Sequence, residues 1–172
     1  MDKMQLEKGQ IVVYGTSGIC VIEEIKPIKI TMDSRPEPYY VLRQKSNSQS
    51  TVFVPVGNDK LTSKIRRPMT REEILSMFSR VRSDRMKWDT DRRARTDRFR
   101  EILAGGVSDD LLRMAVCLHE RKDKLFDDGK RLPVTDINTL KSVSQLLEEE
   151  VSYAFGIDEK DAGEYIKKEM KK

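Results

Sequence analysis

The chain has 172 residues, 37% hydrophobic and 36% charged, with a formal net charge of +4. That length allows one medium domain or two small ones, and the apolar share is too high for general disorder. No apolar run approaches the roughly 18 residues of a membrane span, and the opening MDKMQLEKGQ has no hydrophobic signal core, so a cytoplasmic protein with no membrane partner is expected.

The first third has the composition of short strands. Gln10 to Tyr14 is rich in β-branched residues and ends at Gly15-Thr16-Ser17-Gly18, a turn. Ile19 to Ile25 resumes the strand pattern, and Pro27 argues against its extension as a central strand. A further strand is expected at Lys29 to Met32, before the loop Ser34-Arg35-Pro36-Glu37-Pro38. Tyr39 to Arg43 and Thr51 to Pro55 then flank a polar loop from Gln44 to Ser50. Four or five such strands suggest a small, strongly bent sheet or open barrel.

After Pro68 the apolar period becomes helical. Thr70-Arg71-Glu72-Glu73 reads as a capping box ahead of Ile74, Met77, Phe78 and Val81. A second helix is expected from about Thr90 to Leu103, stopped by Gly105-Gly106. Ser108 opens a third, whose Leu111, Leu112, Ala115, Val116 and Leu118 cover more than one stripe, as in a helix near the middle of a bundle. A fourth follows Leu132-Pro133, with Thr135 as candidate cap and Ile137, Leu140, Val143, Leu147, Val151 and Ala154 as its core face. A last one runs from Asp158, offering Ala162, Tyr165, Ile166 and Met170. The expectation is an α+β chain of two domains, a β domain over 1–65 and an all-α bundle over 66–172.

Few residues could carry chemistry. Cys20 and Cys117 lie far apart in apolar stretches and read as reduced buried thiols, and the lone histidine, His119, has no partners at zinc-ligand spacing. Gly15-Thr16-Ser17-Gly18 lacks the Gly-Lys-Ser/Thr ending of a phosphate-binding loop, and no GxGxxG or nucleophile elbow occurs. Glu148-Glu149-Glu150 point in different directions on a helix and read as a solvated face. No enzymatic activity, metal, cofactor or small-molecule substrate is expected.

The charge is divided unevenly. Residues 1–59 are balanced, residues 60–100 carry a net +8 and residues 101–172 a net −4. One basic stretch of this kind is the asymmetry of a nucleic-acid contact, although a salt-bridged solvated surface would also produce it. Arg80, Arg82, Arg85 and Lys87 lead to Trp88, the sole tryptophan, and Arg92, Arg93, Arg95, Arg98 and Arg100 follow. Guanidinium suits phosphate because it is always charged and donates in a fork. With Asp89, Asp91 and Asp97 interleaved, some arginines should pair within the helix. Trp88 falls outside the apolar periodicity; it either packs the linker onto the bundle or presents a ring that wedges at a DNA step.

Lys8-Gly9-Gln10-Ile11-Val12-Val13-Tyr14, the turn at Gly18, Tyr39-Tyr40-Val41-Leu42 and Thr51-Val52-Phe53-Val54-Pro55 resemble the polymerase-interacting domain of the CarD/CdnL family, a domain also found in the transcription-repair coupling factor. Trp88, the Arg-rich helix, Gly105-Gly106 and Leu132-Pro133 resemble that family's C-terminal domain. The resemblance implies a Tudor-like N-terminal domain lying against the β subunit of bacterial RNA polymerase, partly by pairing sheet edges. It also implies a helical domain at the upstream edge of the transcription bubble, with a tryptophan in the minor groove and basic residues on the backbone. Carried onto this chain, the DNA-facing residues are Lys87, Trp88, Arg85, Arg92, Arg93 and Arg95. Phe53 and Ile28 stand where some members have arginines, with Lys26, Lys29 and Arg43 nearby as further polymerase-facing candidates.

The expected function is therefore a non-enzymatic, monomeric transcription regulator. It would bind RNA polymerase, contact promoter DNA without base readout, and stabilise the open complex by binding it better than the closed one. The alternative is a protein-only adaptor using the β domain and the bundle for two protein partners.

Overall fold

The computed structural model describes residues 5–172. The chain separates into two compact units, Met1–Pro68 and Met69–Lys172, the first built on a sheet and the second on helices. This is the α+β arrangement expected, with an open sheet and not a closed barrel.

The sheet contains β1 (Ile11–Tyr14), β2 (Ile19–Ile28), β3 (Glu37–Gln44), β4 (Thr51–Pro55) and β5 (Ile65–Arg66). Neighbours pair antiparallel in the order β4-β3-β2-β1-β5, so β4 and the two-residue β5 are the edges. One face collects Val12, Cys20, Ile22, Leu42, Val54 and Ile65 into a core. The turn between β1 and β2 needs Gly18 in the positive-φ region (φ 71°), where its carbonyl accepts the Tyr14 amide at 3.1 Å. Cys20 is buried and unoxidised.

Strand β2 is longer than the sequence suggests, because it runs through Pro27 to Ile28. Pro27 lies opposite Pro38, whose carbonyl accepts the Val56 amide on the far side. The Pro27–Pro38 pair is thus of the non-hydrogen-bonded kind, where a missing N–H breaks no ladder bond between them. The strand expected at Lys29 to Met32 does not form. Ser34 Oγ donates to the Thr31 carbonyl at 2.9 Å and accepts the Thr31 amide at 3.1 Å, closing a local turn that competes with pairing. Ile30 and Met32 stand exposed on that turn. The short helix α1 (Asp59–Thr62), capped by Asn58, and β5 escape the sequence pattern altogether. Because β5 pairs with β1, the break between the units falls after Pro68, three residues beyond the expected one.

The second unit has α2 (Arg71–Ser83), α3 (Arg92–Gly105), α4 (Ser108–Asp127), α5 (Val134–Phe155) and α6 (Glu159–Met170). Both halves of the capping box form: Thr70 Oγ1 accepts the Glu73 amide and the Glu73 carboxylate accepts the Thr70 amide. Asp91 caps α3 through the Ala94 amide at 3.0 Å, and Gly106, left-handed at φ 65°, ends it. Helix α4 buries Leu111, Leu112 and every residue from Met114 to Leu118, which makes it the central helix. Ile74, Met77, Phe78, Val81, Leu140, Val143, Leu147, Val151, Ala162 and Met170 pack around it.

Three expectations about α5 are corrected. The helix starts at Val134 behind Pro133, whose fixed φ suits a helix entry, and Thr135 makes no cap. Ile137 is 42% exposed instead of core-facing. Glu148-Glu149-Glu150 is no solvated face: Glu149 and Glu150 are buried, and Glu150 Oε1 accepts the Met69 amide at 2.8 Å where the chain enters the unit.

Candidate nucleic-acid interface and polymerase-facing strands

Trp88 lies in the segment between α2 and α3, half-buried against the helical core. Its setting is fixed by Arg95, one turn into α3. Arg95 is 4% exposed, and its Cζ stands 4.3 Å from the Trp88 ring centroid. Its Nε donates to Asp136 Oδ1 at 3.2 Å, Nη2 to Asp136 Oδ2 at 2.8 Å, and Nη1 to the Asp89 carbonyl at 2.9 Å. One guanidinium thereby ties the first turn of α5, the carbonyl of Asp89 and the indole. Asp89 Oδ1 also accepts the Asp91 amide at 2.9 Å, stiffening the entry to α3.

Arg95 is expected from sequence among the DNA-facing cations. Its burial and its bidentate acidic partner leave it no place for a phosphate in this conformation. The cause is helical phase: Arg95 shares a stripe with the buried Phe99, while Arg92 sits at the stripe's margin and Arg93 points away.

The remaining basic residues sort by partner. Arg80 makes a bidentate pair with Asp109, at 2.7 and 2.9 Å, which lowers the pKa of the Asp109 carboxyl; the hydrogen bond from Arg80 is the main cause. Arg82 bonds Glu169, whose pKa is lowered chiefly by the hydrogen bond from Lys172, and Arg71 stacks 4.8 Å from the Phe155 centroid. Arg85, a predicted DNA contact, is bound to Glu120 and to the Met170 carbonyl. Arg100 pairs loosely with Asp97 at 3.7 Å, the one acid–arginine pair within α3. Lys87, Arg92, Arg93 and Arg98 are exposed and make no side-chain hydrogen bond or ion pair among the described residues. These four belong to the basic stretch that contains Trp88, and none has an acidic partner among the described residues.

Sequence reasoning missed Arg121, on α4. Its Cζ stands 5.3 Å from the Trp88 centroid, and its Nε is enclosed without a hydrogen-bond acceptor. Glu120 and Lys122 beside it disguise it as part of an ordinary charged helix surface.

On the opposite side of α4, a cleft of about 460 Å³ opens among α4, α5 and α6. The pKa of His119 in its wall is lowered below the ordinary value, by burial first and by Lys167 and Lys122 after. Burial raises the pKa of Glu148. Cys117 is buried and unoxidised, its pKa also raised by burial.

In the first unit, the five predicted polymerase-facing residues lie on or beside the adjacent strands β2, β3 and β4. Lys26 pairs with Glu24 at 3.0 Å, Ile28 is half-buried at the end of β2, and Lys29 follows it, exposed. Arg43 on β3 bonds Glu23. Phe53 on β4 is 50% exposed and stands opposite Val41.

Residues 6–69 match the family model described as the CarD-like/TRCF RID domain, a non-catalytic RNA polymerase-interacting domain, and the first unit belongs to that family. The match shows an RNA polymerase-interacting domain over residues 6–69. No curated protein matches the chain. No helix among the described residues is long and apolar enough to cross a membrane.

Proposed function

We propose that the chain stabilises the promoter open complex, its sheet unit binding the polymerase β subunit and its helical unit holding DNA at the upstream edge of the bubble. The observation that carries the DNA half is the setting of Trp88. The chain's one indole is clamped by a buried, neutralised arginine and adjoined in sequence by cations that have no protein partner. An aromatic ring held rigidly beside backbone-binding charge suits insertion at an unstacked step, and such a contact needs no base-specific readout. Lys87, Arg92 and Arg93 supply phosphate contacts, with Arg98 added to them. Arg95 acts by holding the ring.

Polymerase delivers the chain to the promoter through β4. Backbone pairing along an edge is tolerant of sequence, which suits a surface where Phe53 and Ile28 replace arginines of some relatives. The shift toward melting equals the difference in affinity for open and closed DNA and no more. The test is the lifetime of open complexes on the cognate holoenzyme under competitor challenge, with wild-type protein and with Trp88→Ala. Longer life with wild type and its loss in the variant are expected. No effect of saturating wild-type protein would overturn the reading in favour of a protein-only adaptor.

A further inference from the structure

Two arginines approach the Trp88 ring, and they differ in one respect. Arg95 is neutralised by Asp136; Arg121 has no acidic partner among the described residues. Among the described residues Arg121 makes no ion pair, and the acid beside it on α4, Glu120, is engaged by Arg85. The ring attracts the charge of the guanidinium but accepts none of its N–H groups as a hydrogen-bond partner, so these are left unanswered among the described residues. One of them, on Nε, is buried without an acceptor. That N–H is out of a ligand's reach, but the side chain is only half-buried, and its terminal Nη groups, which have no hydrogen bond among the described residues, are donors on a fixed cation that an anion can take up.

We propose that Arg121 is a DNA-binding residue, taking a backbone phosphate beside the nucleotide step that Trp88 enters. This rests on the reading of Trp88 as a DNA-inserting ring. The geometry argues for the phosphodiester as the anion: the guanidinium is 5.3 Å from the ring centroid, so a ring seated in a groove brings Arg121 to the groove's wall, which is lined by phosphates. The two arginines then divide the work, Arg95 fixing the indole from within and Arg121 clasping the strand alongside it. The contact would also lock the stacked geometry, because an arginine held by both a ring and a phosphate loses its remaining freedom.

The experiment uses the full chain, a fluorescein-labelled duplex ending in a single-stranded overhang, and anisotropy at several salt concentrations. Arg121→Met keeps the aliphatic stem and removes the charge; Arg121→Lys keeps the charge. Wild type should show a linear fall of log affinity with log salt. Arg121→Met should flatten that slope by about 0.9, one phosphate's worth of released counterions, and Arg121→Lys should retain it. Melting temperatures of both variants, and the Trp88 emission maximum, check that the unit stays folded with the ring in place; if Arg121→Met melts early, the slope of Arg121→Lys against Arg121→Gln decides. Equal slopes in wild type and the charge-removing variant overturn the proposal. So would a Trp88 emission response to inorganic phosphate, at matched ionic strength, that depends on Arg121 while the DNA slope does not: Arg121 would then be a free-anion site. Failure of the underlying reading looks different, since Trp88→Ala would then leave open-complex lifetime unchanged whatever happens at Arg121.

Discussion

Arg95 and Asp136, 41 residues apart in the chain, form a bidentate ion pair that is almost wholly buried, with side chains 5% and 2% exposed. Two charges out of water are costly unless each satisfies the other, so removing one leaves the other stranded. Asp136→Ala should therefore destabilise the helical unit by about 3–5 kcal/mol. It should also shift the Trp88 emission, which reports on one ring only because the chain has one tryptophan. Replacing both partners, as in Arg95→Met with Asp136→Leu, should recover much of the stability while leaving the indole unclamped. Urea unfolding followed by Trp88 fluorescence measures both effects, and equal stability of Asp136→Ala and wild type would remove the clamp.

That pair also marks where the sequence stops being informative. The capping box at Thr70, the Gly106 stop and the broad apolar face of α4 are local patterns, and each forms as its residues dictate. Arg95 sits in an arginine-rich run whose local pattern favours exposure; what turns it inward is an acid on α5, far along the chain. The same holds for Glu150, whose partner is the Met69 amide, and for Arg121, whose partner is a ring on another segment. Pro27 was misleading for a different reason, since the cost of a proline in a strand depends on a register that only pairing reveals.

The exposed cations should behave as surface charges with one function. Lys87→Glu, Arg92→Glu and Arg93→Glu should each change folding stability by no more than about 0.5 kcal/mol. Each should shorten open-complex lifetime, and the losses should shrink with added salt, because the variant has fewer phosphate contacts for salt to weaken. Arg80→Gln is the contrast, because its guanidinium is committed to Asp109 and has no fork left for DNA. Open-complex lifetimes for the four variants check this; equal losses for Arg80→Gln and Arg93→Glu would show that net charge alone, and not position, is being read.

Edge pairing gives a sharper test in the first unit. Gln44 N donates to Ser50 O and Val56 N to Pro38 O, so inward bonds alternate along β3 and β4 and leave the Phe53 backbone groups directed off the sheet edge. Phe53→Pro removes one outward donor and spares the β3–β4 ladder, whereas Val54→Pro breaks it. Capture of the chain by the polymerase β subunit should be lost in Phe53→Pro with melting temperature nearly unchanged. Undiminished capture by a folded Phe53→Pro would rule out pairing at β4.

The last prediction concerns acid. His119, on α4, meets Ser144 of α5 at 3.5 Å, with Lys167 of α6 and with Lys122 and Asp123 of its own helix nearby. Burial and the two lysines lower its pKa below the ordinary value of 6.5. The unfolded chain therefore binds a proton that the folded chain refuses, and stability falls as pH drops from about 7 through the unfolded value toward the lower folded one. His119→Gln cannot take that proton, so its stability should fall less steeply across this window. Above pH 7 the imidazole is neutral in both states, and the two proteins should show parallel stability. Urea midpoints from pH 5 to 8 make the comparison. A wild-type curve no steeper than that of His119→Gln would mean that α4, α5 and α6 open enough to hydrate the imidazole, and that the cleft they line is wetter than its lining implies.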